Sequence, residues 1–369
     1  MSIKAGLVGL PNVGKSTLFN ALTKSSIPAE NYPFCTIDPH VAITQVPDTR
    51  PSALQKIYAS KKIIPTTVTF VDIAGLVKGA ASGQGLGNNF LSHIKEVDLI
   101  LHVVRCFQDS EVTREEKIDP LQDHTVIMTE LMLKDLEAIN KRLVKVAHQI
   151  KAHQSKPKEK AVFEAEKQFL EKIQPLLDNE NYTEAKKEFS SFEGEKIPLL
   201  SIKKSLIIAN VSENELENNQ FTTNPHYQNL VSEFGSDRVI PVSAKAEYEL
   251  SQMSADDASE MMNLIGLEKQ ALPEIIKKTY TNLGFITFFT CGPQEIHAWQ
   301  IPQNMNVRAA GGQIHSDLER GFICAEVFNC NDLFTHKTIS ALKSLGKVRM
   351  EGADYQVQDG DIILIKFNI

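Results

Sequence analysis

The chain has 369 residues, 42% hydrophobic and 23% charged, which is the composition of a globular protein long enough for two or three domains. Its formal net charge of −7 excludes a protein that coats nucleic acid through general positive charge, although a local basic surface could still bind RNA. Five cysteines without a C-x-x-C pair argue against a disulfide framework or a zinc site, and the absence of a leader-like start or a long apolar run predicts a cytoplasmic protein with no membrane partner.

Strand-like and helix-length segments alternate through much of the chain. β-Branched runs of this kind, separated by helices, predict parallel strands that are buried on both faces. The sequence therefore predicts an α/β fold whose ligand binds at the carboxyl ends of the strands. The predicted strands are "IKAGLVGL", "TTVTFVDIAG", "VDLILHVVRC", "SLIIAN" and "RVIPVSA".

The first strand runs into "GLPNVGKST", from Gly9 to Thr17, which matches G-x-x-x-x-G-K-[ST] and precedes a helix-like stretch. In such a phosphate loop the glycines let backbone N–H groups and the helix N-terminus face the phosphates. Lys15 would supply positive charge to the β- and γ-phosphates, and the Ser16 hydroxyl would ligate Mg²⁺. The alternative is an ordinary Gly-rich turn, which the flanking strand and helix disfavour.

Three further positions extend this site. Asp72 closes the second predicted strand and could hold Mg²⁺ through water, and the Gly75 N–H could approach the γ-phosphate. Thr36, in "NYPFCTIDPHVA", is a candidate second protein ligand for the metal, although a loop Thr can also simply bond its own turn. Leu76 follows Gly75 where Ras-type GTPases carry a water-orienting Gln, so either intrinsic hydrolysis should be slow or another residue must position the water.

A long amphipathic helix is predicted between the third and fourth strands, from Thr129 to Lys151. Its apolar residues recur at alternating spacings of four and three, the pattern of a coiled-coil seam. Pro157 interrupts the pattern, and "AVFEAEKQFLEKIQPLL" predicts a second helix that would complete an antiparallel hairpin. The lysines and arginine near its tip are either a solvated face or an RNA-contacting patch.

The fourth strand ends in "ANVSE", where a GTPase would carry N-K-x-D. In that motif the Asp accepts from guanine, whereas here Val211 replaces the Lys and Glu213, one methylene longer, stands in the place of the Asp. Asn210 would still face the purine and brace the loop. Ser243 and Ala244, in "PVSAKAE", could wall the base. We expect relaxed base specificity with ATP favoured.

The last ninety or so residues are rich in predicted strands, namely "GFITFFTC", "EIHAWQI", "GFICAEVF" and "YQVQDGDIILIKF". Turn residues join them, which predicts a small β-dominated domain.

These motifs in this order resemble the YchF, or Obg-like ATPase, family of P-loop NTPases. The resemblance implies an Obg-type G domain over 1–277 with an inserted helical hairpin over 128–200, followed by a TGS domain over 278–369. It also implies a monomeric ATPase that prefers ATP to GTP, binds the large ribosomal subunit and its RNA, and regulates translation or a stress response.

The resemblance also implies site residues. Asn12 is the residue type that helps bind K⁺ in related NTPases with a hydrophobic residue at the Leu76 position, and Val211 would touch the purine. Lys15 and Gly75 would assist catalysis, but the water-activating group stays unassigned because Arg114 stands where many members have His, and Arg cannot act as a base near neutral pH. The phosphate contacts would come from Asn12, Val13, Gly14, Lys15, Ser16 and Thr17.

Two other interpretations stay open. One is a ribosome- or RNA-binding module whose nucleotide is structural and not turned over. The other is a small-molecule kinase, which would lack an evident Arg-rich lid and would leave the C-terminal domain unexplained.

Overall fold

The computed structural model describes residues 3–26, 40–73, 88–108 and 118–368. The strands in these ranges are β1 (Ile3–Val8), β2 (Val41–Gln45), β3 (Lys62–Ile64), β4 (Thr67–Asp72), β5 (Leu99–Arg105), β6 (Lys204–Asn210), β7 (Val239–Val242), β8 (Phe285–Cys291), β9 (Glu295–Pro302), β10 (Phe322–Asn329), β11 (Arg349–Glu351) and β12 (Asp361–Phe367).

The helices alternate with these strands along most of the chain. They are α1 (Lys15–Lys24), α2 (Arg50–Tyr58), α3 (Asn88–Glu96), α4 (Pro120–Ala152), α5 (Pro157–Asp178), α6 (Tyr182–Ser191), α7 (Glu213–Leu216), a 3₁₀ helix (Glu217–Thr223), α8 (Pro225–Phe234), α9 (Ala244–Leu250), α10 (Ala255–Leu264), α11 (Ala271–Asn282), α12 (Val307–Ile314), α13 (Ser316–Arg320), α14 (Cys330–His336) and α15 (Ile339–Ser344). No helix in the described ranges is long and apolar enough to span a bilayer.

The first sheet has the strand order β2-β4-β1-β5-β6-β7. Strand β5 is parallel to β1 on one side and to β6 on the other, and β6 is parallel to β7. Every residue of β5 is buried, as expected of a parallel strand covered on both faces. Because the strands are parallel, the loops that follow β1, β5, β6 and β7 meet at one edge of the sheet.

The chain divides by its contacts into two compact units, of which one combines Lys4–Ala21 with Val71–Lys269. This unit contains the parallel strands β5, β6 and β7 and the helices α3 to α10. A buried apolar cluster beneath the loops after β5 and β6 includes Val104, Ile207, Val211 and Leu230. These side chains hold the two loops against α8.

The other unit combines Met1–Ile3, Leu22–Phe70 and Gln270–Ile369. Its sheet has the order β11-β10-β12-β8-β9-β3, with β3 parallel to β9 through the pair Ile63 and Ile296. The sequence-based domains, 1–277 and 278–369, differ from this division because they place β3 and α2 with the first domain. Three-residue strands such as β3 carry too little pattern for assignment from sequence.

The insertion between β5 and β6 contains one more helix than the sequence predicted. Helix α4 begins at Pro120, nine residues before the predicted start, because Asp119 caps it by accepting from the Gln122 N–H. Pro157 occupies the first position of α5, where its missing N–H costs no hydrogen bond. The additional helix, α6, adds Ala185 to a buried cluster with Ile139 and Ile173.

Candidate functional site

The loop between β1 and α1 depends on two glycines. A Cβ at Gly9 would lie 2.7 Å from the Val103 carbonyl oxygen, closer than real contacts allow. Gly14 has a φ of +92°, and a Cβ there would overlap the amide nitrogen of Asn210. Helix α1 begins directly afterwards, with the Leu18 N–H donating to the Gly14 carbonyl at 3.0 Å. The N-terminus of α1 is therefore presented at the edge of the sheet, the arrangement that binds phosphate in P-loops.

Lys15 and Asp72 form an ion pair beside this loop. Lys15 is the first residue of α1 and is only 7% exposed, and its Nζ donates to Oδ1 of Asp72, the last residue of β4. The Ile73 N–H donates to the Leu7 carbonyl at 3.2 Å, which fixes the end of β4 against β1. Opposite charges thus lie together where the sequence predicts phosphate and metal binding.

The residues present fit a magnesium ion. Ser16 is exposed at the start of α1, and its hydroxyl and the Asp72 carboxylate are the oxygen donors that Mg²⁺ prefers. Within the described ranges there is no group of three or more His, Cys, Asp and Glu side chains that could hold a metal. Mg²⁺ commonly takes only one or two carboxylates from the protein and completes its shell with substrate phosphates and water. When bound, the ion would neutralise charge that develops on the phosphates.

Asn210, at the end of β6, joins three loops through its side chain. Its Nδ2 donates to the Val13 carbonyl at 2.8 Å, and its Oδ1 accepts from the Ala244 N–H at 3.0 Å. The residue is 4% exposed. One amide therefore connects the loop after β1 to the loop after β7, an arrangement in keeping with the bracing role predicted for Asn210.

An open cavity of about 380 Å³ lies at this edge of the sheet, which is within the size range of small-molecule pockets. It brings together eight residues predicted to bind the nucleotide, whereas Val13, Lys15 and Ser16 do not line it. Its lining is Asn12, Gly14, Thr17, Phe107, Gln108, Asn210, Val211, Ser212, Glu213, Ser243, Ala244 and Lys245. Sequence reasoning missed four of these, namely Phe107, Gln108, Ser212 and Lys245.

The missed Lys245 contacts the predicted Glu213. Its Nζ donates to Glu213 Oε2 at 2.9 Å, across the mouth of the cavity. The Glu213 side chain is 35% exposed and that of Lys245 is 69% exposed. The carboxylate in the place of the guanine-reading Asp is therefore held by a cation of the companion loop.

The missed Phe107 is held by Arg105. The Arg105 guanidinium lies over the Phe107 ring, 4.8 Å from its centroid, and its Nε donates to the Phe107 carbonyl at 3.1 Å. Arg105 is 4% exposed and ends β5, directly opposite Asn210 on β6. The sequence run "VVRCF" contains Arg105 and Phe107, but it does not itself indicate that Phe107 reaches the cavity. That becomes clear only from the register of β5 and β6.

Cys106, between these two residues, is buried. Burial, together with the nearby Glu215 and Asp123 carboxylates, raises the pKa of its thiol to about 12. The thiol therefore stays protonated near neutral pH, when only a thiolate would react.

Four positions of the sequence analysis, Thr36, Gly75, Leu76 and Arg114, lie outside the described residues. The second metal ligand, the γ-phosphate contact and the water-activating group accordingly stay predictions.

Two family models match the chain. A model described as "50S ribosome-binding GTPase" matches residues 4–148, and the YchF-GTPase_C model, described as "Protein of unknown function", matches residues 285–368. The first covers the loop after β1, the Lys15–Asp72 pair and Phe107. The second covers β8 to β12.

Full-length relatives match over the whole chain. A Bacillus subtilis protein named "Ribosome-binding ATPase YchF" is 42% identical over 376 residues and is covered completely, as is this chain. The rice (Oryza sativa subsp. japonica) protein "Obg-like ATPase 1" is 41% identical, covering 100% of this chain and 92% of the relative.

A solved structure gives the same result. It is titled "Structure of the Schizosaccharomyces pombe YchF GTPase", and it has a TM-score of 0.84 and 34% identity over 99% of this chain and 98% of that one. With a phosphate loop, an "ANVSE" base loop and relatives at this identity over their full lengths, the chain belongs to the YchF, or Obg-like ATPase, family.

Proposed function

We propose that this chain is a Mg²⁺-dependent, ribosome-associated ATPase that prefers ATP to GTP. Its relatives are named ribosome-binding ATPases, whereas the matching solved structure is titled a GTPase. The choice of nucleotide must therefore be argued from the cavity itself.

The observation that carries the ATP preference is the Glu213–Lys245 pair. Guanine needs an acceptor for its N1–H and 2-amino group. Glu213 already accepts from Lys245, and the Asn210 oxygen already accepts from the Ala244 N–H. This ion pair would compete with guanine for the Glu213 carboxylate and so reduce the main advantage of a guanine reader, whereas the N6 amino group of adenine can donate to backbone carbonyls.

At the phosphate end we propose hydrolysis of the nucleotide rather than mere retention. With nucleotide bound, the Lys15 ammonium would leave Asp72 for β- and γ-phosphate oxygens, and the Asp72 carboxylate would then be available to hold Mg²⁺ through water. Ser16 and Thr36 are the proposed direct ligands of the metal, and Asn12 is the proposed contact to K⁺. Gly75 would donate its N–H to the γ-phosphate, and Arg114 would act, if at all, by stabilising charge.

The proposed output is a nucleotide-dependent switch. Binding of ATP would order the segments around Thr36 and Gly75 and change the affinity for the ribosome, at the large subunit and its RNA, in the cytoplasm. The helical insertion is a weak candidate for the RNA contact, because Lys156 and Lys160 pair with Glu159 and Glu164 at its tip. The regulatory role in translation or stress rests on the family resemblance.

The test is a side-by-side titration of the monomeric protein with ATP, GTP and their non-hydrolysable analogues, followed by phosphate release with and without ribosomes. We expect tighter binding of ATP and repeated turnover that ribosomes stimulate. Tighter binding of GTP would refute the base assignment. Tight retention of nucleotide without phosphate release would instead favour a binding module whose nucleotide is structural.

A further inference from the structure

The base end of the cavity has two walls that come from separate loops. Phe107 follows β5, and Val211 and Ser212 follow β6. The Cys106 N–H donates to the Asn210 carbonyl at 2.8 Å, directly after the Arg105–Asn210 pair at which the register of β5 and β6 ends. Beyond that bond the ladder of β5 and β6 no longer sets the width of the gap.

A partly buried hydrogen-bond network connects the two walls. The Glu215 Oε2 accepts from the backbone N–H and the hydroxyl of Ser212, at 2.9 and 2.7 Å, as part of a capping box at the start of α7. Its Oε1 accepts from Asn224 Nδ2 at 2.6 Å. The same Nδ2 donates to the Cys106 carbonyl at 2.9 Å.

Asn224 is therefore joined to both walls and to a third element. Its Oδ1 accepts from the N–H groups of His226 and Tyr227, at 2.8 and 3.3 Å, as the N-cap of α8. It is 8% exposed and is absent from the lining of the cavity. An amide is required here, because two donors and an acceptor are used at once.

We propose that Asn224 is a positioning residue for purine selection: it fixes the spacing between the Phe107 wall and the Ser212 wall without touching the nucleotide. This inference rests on the proposed function, since it takes the cavity as a purine site. A purine is a flat ring, so the dispersion contacts on its two faces weaken quickly when a wall moves outward. Phosphate contacts, which come from the loop after β1, do not depend on this spacing.

The primary test variant is Asn224→Ser. Serine is a good N-cap and is uncharged, so α8 keeps its start, but its hydroxyl is too short to reach Glu215 and Cys106 together. Asn224→Asp is the second variant, since it keeps the shape and the cap while replacing both donors by acceptors. The matched control is Asn181→Ser, at the exposed N-cap of α6, away from the cavity.

Each protein is titrated with ATP, GTP and inorganic triphosphate, all with Mg²⁺, and its thermal unfolding is recorded. We expect Asn224→Ser to weaken ATP binding about tenfold, the scale of one or two lost hydrogen bonds, and to bring the ATP and GTP affinities closer together. Triphosphate affinity should stay at the parent value, and Asn181→Ser should behave as the parent. Asn224→Asp should weaken ATP binding at least as much, because the introduced carboxylate would then face the Glu215 carboxylate.

Three results would overturn the inference. They are parent-like ATP affinity in both folded Asn224 variants, an equal loss of ATP and triphosphate affinity, and a parent protein that binds no purine nucleotide. A parent protein that prefers GTP refutes only the proposed base preference. The inference then still requires that the Asn224 variants lose more affinity for purine nucleotides than for triphosphate. If Asn224→Ser does not fold, Asn224→Asp at reduced temperature decides by the same comparison.

Discussion

Replacing His124 by Phe is expected to make the protein less sensitive to acid. His124, on α4, stacks on His102 of β5 at a centroid distance of 4.7 Å and contacts the Phe234 ring at 4.6 Å. Burial, with Arg238 and Lys186 nearby, lowers the pKa of His124 from 6.5 to about 4. Burial also lowers the pKa of His102, and the neighbouring His124 lowers it further.

The sign follows from where the protons bind. A His whose pKa is lowered on folding is neutral in the folded protein at pH values where the unfolded chain already carries the proton. The resulting loss of unfolding free energy is absent above about pH 6.5 and grows as the pH falls toward the folded-state pKa of about 4. The pKa difference for His124 corresponds to about 3 kcal/mol of unfolding free energy below pH 4, of which about 2 kcal/mol is lost by pH 5.

The assay is urea unfolding at pH 7 and pH 5 of the parent and His124→Phe proteins. Phe keeps an aromatic ring between His102 and Phe234 but cannot take a proton. We expect the fall in unfolding free energy between the two pH values to be smaller by about 2 kcal/mol in the variant. His148→Gln, an exposed position on the same helix, is the control and should fall as the parent does. An equal fall in the parent and His124→Phe would refute the reasoning.

Two further substitutions test the geometry of the nucleotide unit. Gly14→Ala should abolish measurable ATP binding by calorimetry, because its φ of +92° and the overlap with Asn210 both oppose a side chain; parent-like binding would contradict the loop geometry. Asp135→Ala should lower the unfolding free energy by about 2–4 kcal/mol in urea, since the buried N–H groups of Leu200 and Ser201 would lose their acceptor. A loss of a few tenths of a kcal/mol, the scale of an ordinary surface substitution, would show that water replaces the carboxylate.

The phosphate loop could be predicted because its information is local. A strand, a fixed spacing of glycines and a helix N-terminus are all contained in the run from Ile3 to Lys24, and the structure has β1, the loop and α1 in that order. The parallel sheet was predictable for a similar reason, since strands buried on both faces, such as β5, are continuous apolar runs.

The missing parts of the cavity depend on pairings between distant residues. Lys245 lies within a motif that the sequence analysis selected, yet its contact with Glu213 joins residues 32 positions apart. Phe107 reaches the cavity because Arg105 is opposite Asn210, a register that no local pattern contains. The contacts of Asn224 are harder still to predict, because its amide donates to one residue nine positions away and to another 118 positions away. Side-chain networks of this kind depend on the fold and have no local sequence pattern from which they could be predicted.

Asn210, at the end of β6, is hydrogen-bonded to the phosphate loop as well as to the loop after β7. Its amide occupies the space that a side chain at position 14 would need, and it connects Val13 to Ala244. A guanine reader therefore cannot be built by changing the base loop without regard to the phosphate loop, because moving Asn210 would release the Val13 carbonyl. In the proposed site the base preference depends instead on Glu213 and its partner Lys245, which come from the loops after β6 and β7. The same reasoning explains how a family can keep the phosphate loop of GTPases while its base loop departs from theirs.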